Sequence, residues 1–555
     1  MIMGKNEMRK YVLIFFCITI ATIVAFISLG DRTLSNHEAF VSVTAREMIE
    51  NDEYIIPTFN NQCRFNKTPL PYWLVVVASH FTGRIDEFTA RLPSATIAVL
   101  SVICILYFIT VILNFKTAFL ASLIWTCSLG FIRYSHCARP EMHLTFFMLI
   151  CFLSFYAAIE EANRTKRVAY SLIFWVSLGL SVLAKAISSI FFVAFSAIIY
   201  LTFFKQWKKI PKILPVWGSI LFLLIILPWP IAAANAMNWN LSLWQQESID
   251  RFTGGNGRSG HEWLYYFPMI FLFVTPWVVF LPLAIVAPFR KVWKNKRKIM
   301  GYLWICFFTG IVFLSLCSGK RQHYILPLMP LATILIGIVI EDMVLSRTAY
   351  FEKESLNLLK WHLFTFFLIG LIILAYSFEP LYNYSCKLIA NKGFSLPAYS
   401  SLPVTCQIAT GLILVLGTSS SIFLYSIKRR MAACLVIFSS IAFVIVFLFS
   451  MISVLPDNGD YSEAKFASEL KRIIPLEDDV FVYGKIDELF IHYFGRPIKT
   501  ASEASIKHIY NNNNWLIFSG EKLDKIKEEY NFKEVRTFQK NSNKPERIVI
   551  VHKNN

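Results

Sequence analysis

The chain has 555 residues, of which 56% are hydrophobic and 16% are charged, and its formal net charge is +18 at pH 7. A water-soluble protein could not bury so much apolar surface. The composition therefore excludes a soluble globular class and indicates a protein that crosses a membrane several times.

Apolar runs recur along the first 455 residues. A membrane-spanning helix needs roughly 20 mostly apolar residues. Thirteen spans are predicted, near residues 11–30, 92–113, 117–132, 144–159, 168–184, 187–204, 214–234, 264–288, 300–317, 324–342, 362–377, 405–427 and 431–454. The first run is long for a secretory signal and no clear small-residue cleavage site follows it, so we expect a retained first helix.

The basic residues indicate an orientation. If the N-terminus is cytoplasmic, every strongly basic short loop falls on the cytoplasmic side: 164–167, 205–212, 290–298 and 428–430. An odd number of spans then places the tail after Leu455 outside. The tail itself has balanced charge, so the positive excess belongs to the membrane part and does not indicate nucleic-acid binding.

The tail differs from the membrane part in its pattern of hydrophobic and polar residues. Its pattern predicts helices at 462–474 and 521–530 and strands at 480–483, 515–519 and 547–552. We therefore expect a membrane domain at 1–455, with external loop one at 31–91, and a small α/β domain at 456–555. The tail has no nucleophile motif and no glycine-rich phosphate loop, so we expect it to cover the site or recognise an acceptor.

Loop one carries more charge than a short connector needs, and its motifs occur in a fixed order. They are Ala45-Arg46-Glu47-Met48, Pro57-Thr58-Phe59-Asn60, the segment 64–74 and Ala90-Arg91-Leu92-Pro93-Ser94-Ala95, and a later run at 318–330 reads Ser-Gly-Lys-Arg-Gln-His-Tyr-Ile-Leu-Pro-Leu-Met-Pro. In these motifs, and over about residues 10–345, the chain resembles the superfamily of protein O-mannosyltransferases and lipid A aminoarabinose transferases.

The resemblance implies a fold and an activity. The fold is GT-C, an α-helical polytopic membrane protein, here with a small C-terminal α/β extramembrane domain. The activity is transfer of a sugar from a polyprenyl-phosphate donor to a lipid, glycan or protein acceptor. The implied location is the inner membrane of a bacterium, with the N-terminus cytoplasmic and the tail periplasmic.

Relatives carry an Asp-Glu pair where this chain has His37 and Glu38, nine and eight residues before Arg46. The resemblance gives the missing Asp the main catalytic role. We expect Glu38 to act as the base, with His37 as its orienting partner or as a second titratable group. Alternatively, Glu38 caps its helix or pairs with Arg46. A donor-binding Arg of the family is also absent, with Phe40 in its place.

Glu141 directly precedes a predicted span, where relatives usually have Asp. The resemblance implies that this acid helps to hold the sugar or the catalytic centre. The alternative is an acid placed near a helix N-terminus, where the helix dipole favours it by about 0.3–1 kcal/mol.

A phosphate-bearing donor requires cations. Pro69 and Pro71 fix an extended turn beside Lys67, which can direct its charge at a phosphate. By resemblance, the donor phosphate is contacted by Lys67, Lys185, Lys320, Arg258 and Tyr324. The lysines could instead be interfacial anchors. Three arginines are expected to brace loop one or its carboxylates: Arg46, Arg64 and Arg91.

No complete metal site is recognisable. Some relatives have an acid before the lysine at position 67, but here the residue is Asn66. His261 matches a loop histidine of the family, yet a single ligand does not make a site. We therefore predict no certain cofactor, and His261 is the only pointer to a divalent metal.

Two other classes of function fit parts of the sequence. A lipid-linked-sugar transporter or flippase would need charged residues near the middle of the bilayer or matched broken helices, whereas the charges here gather at one external face. A non-catalytic membrane scaffold would explain His37, but it would not explain the retained Glu38 and the cationic loops.

Overall fold

The computed structural model describes residues 5–64, 67–185, 188–239, 264–346, 354–377, 404–452, 460–512, 514–519, 534–539 and 547–552. These residues fall into two compact units. The first, the membrane unit, comprises Met1–Leu29, Asn66–Leu70 and Pro93–Ser453. The second, the loop–tail unit, comprises Gly30–Phe65, Pro71–Leu92 and Val454–Asn555.

Long apolar helices dominate the described chain. Nine are long and apolar enough to cross a membrane: Glu7–Phe26, Glu87–Ile112, Pro140–Glu160, Arg164–Ala184, Pro215–Ala236, Lys291–Leu316, Gln322–Leu345, Val404–Ser426 and Arg430–Leu448. Two further pairs would each make one span bent by 60° and 114°: Phe115–Thr126 with Leu129–Ser135, and Tyr266–Val274 with Trp277–Phe289.

The described residues thus contain nine to eleven candidate spans rather than thirteen. The other two predicted spans correspond to the shorter apolar helices Ser188–Phe203 and Leu359–Ala375. Ser188–Phe203, with 16 residues, falls below the roughly 20 residues that a straight crossing requires, whereas Leu359–Ala375 is part of the 23-residue helix Glu354–Tyr376. The prediction of a polytopic helical protein is confirmed.

Two helices form the centre of the membrane unit. In Pro140–Glu160 and Gln322–Leu345, 89% and 94% of the most apolar stretch is buried. Pro140–Glu160 packs on Arg164–Ala184, and Met329–Ile340 packs on Phe115–Thr126. In the second contact Gly337 lies so close that an added Cβ would stand 2.9 Å from the Cα of Ala121. The absence of a side chain lets these two backbones approach.

Several candidate spans combine α-helix with short segments of tighter or wider helix. The α-helical parts include Lys5–Phe26, Pro215–Ile226, Pro228–Ala236, Leu281–Val286, Arg297–Leu316, Glu354–Tyr376 and Arg430–Ile452. Short 3₁₀ segments occupy Trp207–Ile213, Trp277–Phe280, Ala287–Phe289, Lys291–Lys296, Gln322–Leu328 and, in the tail, Glu503–Ser505, and Glu341–Ser346 is a π-helix.

The loop–tail unit contains five described helices and a sheet. The helices are Asn36–Glu50, Leu70–Thr82, Asp460–Ile473, Glu488–Phe494 and Ile506–Asn511. The strand order is Lys499–Thr500, Val480–Tyr483, Trp515–Ser519, Arg547–Val551 and Glu534–Gln539. The first three strands are parallel to one another. Arg547–Val551 pairs antiparallel with both of its neighbours, Trp515–Ser519 and Glu534–Gln539. The three predicted strands and the first predicted helix are confirmed, whereas the predicted helix at 521–530 lies outside the described residues.

Loop one folds together with the tail. Val43, from the helix Asn36–Glu50, lies in the same apolar core as Phe466, Leu470 and Phe490 of the tail. The strands Thr58–Phe59 and Gln62–Cys63 form a hairpin whose turn residues Asn60 and Asn61 both have positive φ, of 55° and 57°. Asn favours the type I′ turn that such a hairpin requires. The compact units therefore group most of loop one with the tail, whereas its segment Asn66–Leu70 belongs to the membrane unit.

Candidate active site

Glu141 lies at the start of a central helix of the membrane unit. Pro140 is the first residue of that helix, and its fixed φ suits that position. Arg139 before it is extended, with φ −140° and ψ 154°. The carboxylate of Glu141 therefore sits in the first helical turn, where the dipole favours negative charge, and only 6% of its side chain is exposed.

Two basic side chains converge on one oxygen of Glu141. Lys185 Nζ lies 2.8 Å from Glu141 Oε1, and His323 Nε2 lies 3.3 Å from the same atom. Lys185 caps the helix Arg164–Ala184, and His323 belongs to the short 3₁₀ segment Gln322–Leu328. Residues from three separate elements thus meet at one buried carboxylate.

The aromatic ring of Tyr324 contacts both Lys185 and His323. Lys185 Nζ stands 4.8 Å from the centroid of the Tyr324 ring, a distance that gives a cation–π attraction. The His323 ring meets the same ring edge-on, with 4.9 Å between centroids. Of the predicted phosphate-binding residues, the structure therefore brings Lys185 and Tyr324 together.

The second oxygen of Glu141 has no hydrogen-bond partner among the described residues, although it is buried. A buried polar atom left without a partner costs about 1–3 kcal/mol, and more when it is charged. A hydrogen-bond donor of a bound molecule would satisfy this atom. Chemically, the arrangement offers a fixed carboxylate oxygen beside an ammonium group.

The other predicted phosphate ligands have different positions. Lys320 is half-buried in the turn before Gln322–Leu328, where its N–H donates to the carbonyl of Ser318. Lys67 is half-buried just before the helix Leu70–Thr82. Two predicted residues lie outside the described residues: Arg258 and His261.

Glu38 occupies a different environment, inside the loop–tail unit. It is the third residue of the helix Asn36–Glu50, where its Oε2 accepts hydrogen bonds of 2.9 Å from the backbone N–H and the hydroxyl of Ser35. Arg91 Nε donates to Oε1 at 2.8 Å. Arg91 also donates to the carbonyls of Arg32 and Thr33, both at 2.9 Å. Glu38 thus fastens the start of the helix to Arg91.

This ion pair differs from the alternative that paired Glu38 with Arg46. Arg46 instead donates to the carbonyls of His492 and Ile491 in the tail, at 3.0 and 3.5 Å. His37, beside Glu38, is exposed. That Glu38 acts as the base stays a prediction. To take a proton from a substrate, its carboxylate would have to lose some of these contacts.

Phe40, which replaces an arginine of the family, has a local role. Arg64 lies over its ring, with the guanidinium carbon 3.6 Å from the ring centroid, and Phe59 packs on Phe40 with 4.6 Å between centroids. Arg46, Arg64 and Arg91 therefore all contact groups of the loop–tail unit.

The described residues include no group of three or more His, Cys, Asp or Glu side chains arranged to hold a metal ion. His323 is the residue that the sequence did not single out. It lies inside the 318–330 run, between Lys320 and Tyr324, and this position was the only signal that could have identified it.

Comparisons with known proteins agree with this architecture. Residues 11–240 match the family model described as dolichyl-phosphate-mannose-protein mannosyltransferase. The chain is 26% identical over 346 residues to undecaprenyl phosphate-alpha-4-amino-4-deoxy-L-arabinose arabinosyl transferase 2 of Pseudomonas fluorescens, across 61% of each chain. It is 24% identical over 337 residues to the corresponding transferase of Pseudomonas aeruginosa, across 58% of this chain and 60% of that one. The chain thus spans about three fifths of the length of these curated relatives.

The fold is similar to a crystal structure of ArnT from Cupriavidus metallidurans bound to undecaprenyl phosphate. The TM-score is 0.78 at 17% identity, and the match covers 97% of both chains. This likeness shows that the chain has the GT-C fold. The matched family model covers less than half of the chain, and its match and those of the curated relatives agree with this fold.

Proposed function

We propose that this protein is an integral-membrane glycosyltransferase that moves a sugar from a polyprenyl-phosphate donor to an acceptor. The observation that carries the proposal is the buried carboxylate of Glu141 with the half-buried Lys185, His323 and Tyr324 around it, in a chain with the GT-C fold. The names of the curated relatives support the donor class, since each is a transferase for undecaprenyl phosphate-linked aminoarabinose.

The chemistry follows from the donor. An acceptor oxygen attacks the anomeric carbon with inversion, the bond from that carbon to the phosphate oxygen breaks, and its electron pair leaves with the polyprenyl phosphate. Because a phosphate is already a stable leaving group, the site needs cations rather than a strong acid. Lys185 supplies one cation, and we propose that Lys320, Lys67 and Arg258 supply others.

Glu141 is proposed to contact the substrate through its Oε2 atom, which has no partner among the described residues. There it would accept a hydrogen bond from the sugar or take the proton of an acceptor hydroxyl. If the acceptor is itself a phosphate, no base is needed and Glu141 serves to orient the sugar. Glu38, with His37, remains the second candidate for the base.

The orientation is part of the proposal. The basic loops favour a cytoplasmic N-terminus, which would place the tail and the transfer site on the periplasmic side of the inner membrane. The acceptor would then be a lipid A-like lipid, a glycan or a protein exposed on that side.

The test is consumption of a panel of labelled polyprenyl-phosphate sugars by membranes that contain the wild type or a variant. We expect one donor to be consumed and Lys185→Ala to reduce that consumption at least about 100-fold, because a desolvated electrostatic contact is lost. Lys209→Ala is the matched control, since Lys209 pairs with Glu160 elsewhere in the membrane unit at 3.1 Å. Equal activity of the wild type and Lys185→Ala would contradict the assigned site.

A further inference from the structure

We propose that His323 is a positioning residue that fixes the carboxylate of Glu141, so that Oε2 faces the substrate in one orientation. The inference rests on the proposed function and adds a residue that neither the motifs nor the family match assigns. It depends on the contact of 3.3 Å from His323 Nε2 to Glu141 Oε1, between side chains that are 14% and 6% exposed.

Lys185 alone would hold the carboxylate loosely. Its ammonium group stands on a flexible four-carbon stem and acts as a point charge without a preferred direction. A single contact at Oε1 therefore leaves the carboxylate plane free to turn. A second side chain that contacts the same oxygen from another element restricts that rotation.

His323 suits this role because its own position is fixed. Its ring packs edge-on against Tyr324 at an interplanar angle of 85°. The segment Gln322–Leu328 that carries it contains Pro327 and packs on the helix Pro140–Glu160 that carries Glu141. The imidazole tautomer that carries hydrogen on Nε2 would direct this N–H at the carboxylate oxygen, which lies 3.3 Å away.

The geometry also gives Lys185 and His323 different roles in the cluster. Both Lys185 and His323 contact Oε1, whereas Oε2 stays buried without a partner among the described residues. Lys185 contributes charge that a donor phosphate can use, and His323 contributes direction. Removal of His323 should therefore impair the chemical step more than donor binding, because a misplacement of about 1 Å can cost about 100-fold in rate.

The experiment compares kcat and donor KM for the wild type, His323→Leu, His323→Gln and Gln322→Ala in purified enzyme. The glutamine amide can donate to Oε1 from a similar reach, and the exposed Gln322 is the matched control. We expect His323→Leu to lower kcat by about 10- to 100-fold with donor KM changed less than about threefold. His323→Gln should recover most of the rate, and Gln322→Ala should match the wild type.

The melting temperature of each variant separates positioning from misfolding. If His323→Leu turns over like the wild type, or if His323→Gln is as slow as His323→Leu at an unchanged melting temperature, the positioning role is wrong and the proposed transfer stands. If the folded wild type consumes no donor, the proposed function and this inference fall together.

Discussion

At the scale of residues, the protein uses its buried carboxylates in two different ways. Glu38 has both oxygens occupied by Arg91 and Ser35, whereas Glu141 keeps one oxygen without a partner among the described residues. The first arrangement is that of a group that holds the chain together. The second leaves one buried acceptor atom available, as the proposed contact with a substrate requires.

The pair of Glu38 and Arg91 leads to a prediction about stability. Both side chains are 5% exposed, and removal of one partner of a buried ion pair costs about 3–5 kcal/mol because the other charge stays buried. Arg91→Met should therefore lower the melting temperature of the detergent-solubilised protein markedly. The double variant Glu38→Leu/Arg91→Met should recover part of that loss.

The variant Glu38→Gln distinguishes between two roles of Glu38, as a brace of the loop and as the catalytic base. If Glu38 only braces the loop, Glu38→Gln should lose activity in proportion to its loss of stability. If Glu38→Gln abolishes turnover at an unchanged melting temperature and unchanged donor binding, Glu38 is the base and the bracing account is wrong.

At the scale of elements, the contact between the helices Asn36–Glu50 and Glu488–Phe494 joins loop one to the tail. His492 lies at this contact, where its Nδ1 atom is 3.0 Å from the hydroxyl of Ser42. Burial lowers the pKa of His492 to about 3, and the nearby charges of Arg46 and Lys471 act in the same direction.

A pH dependence follows from this pKa. The unfolded chain has a histidine pKa of about 6.5, so between pH 6.5 and about 3 the unfolded state binds a proton that the folded state does not. The stability contribution is complete above pH 6.5 and declines as the pH falls through that window. We expect the melting temperature to fall less steeply from pH 6.5 to 4.5 in His492→Asn than in the wild type. Parallel pH profiles would contradict the assignment.

Some elements were predictable from the sequence and others were not. The tail strand Val480–Tyr483 was predicted because a run of β-branched and aromatic residues is a local signal. The pairing of Glu38 with Arg91 links residues far apart in the chain, and hydrophobic periodicity carries no information about such a pair. His323 was missed for a related reason, since only folding brings it to Glu141.

At the scale of the whole molecule, the chain combines a helical membrane unit with a loop–tail unit that contains a sheet. The composition predicted the membrane class, because apolar content is a global property. The number of full-length spans was harder to predict, since Ser188–Phe203 is short and two other runs bend sharply. Hydropathy alone cannot separate a short or bent helix from a straight crossing.

The topology gives a prediction at this scale. The predicted thirteen spans are an odd number, which places the tail on the opposite side from a cytoplasmic N-terminus. We expect alkaline phosphatase fused after Asn555 to be active and a fluorescent protein fused there to be dark. A fusion after Lys212, in a basic loop, should give the reverse pattern. A dark phosphatase fusion at Asn555 would contradict the proposed orientation.

The most direct test of the proposed transfer uses purified protein with the donor that the panel identifies and its acceptor. The measurement is the release of free polyprenyl phosphate together with the appearance of label on the acceptor. We predict equal amounts of the two products in the wild type and the loss of both in Glu141→Gln, measured at a temperature below the melting temperatures of both proteins. Transfer by Glu141→Gln at the wild-type rate would contradict the assigned role of Glu141.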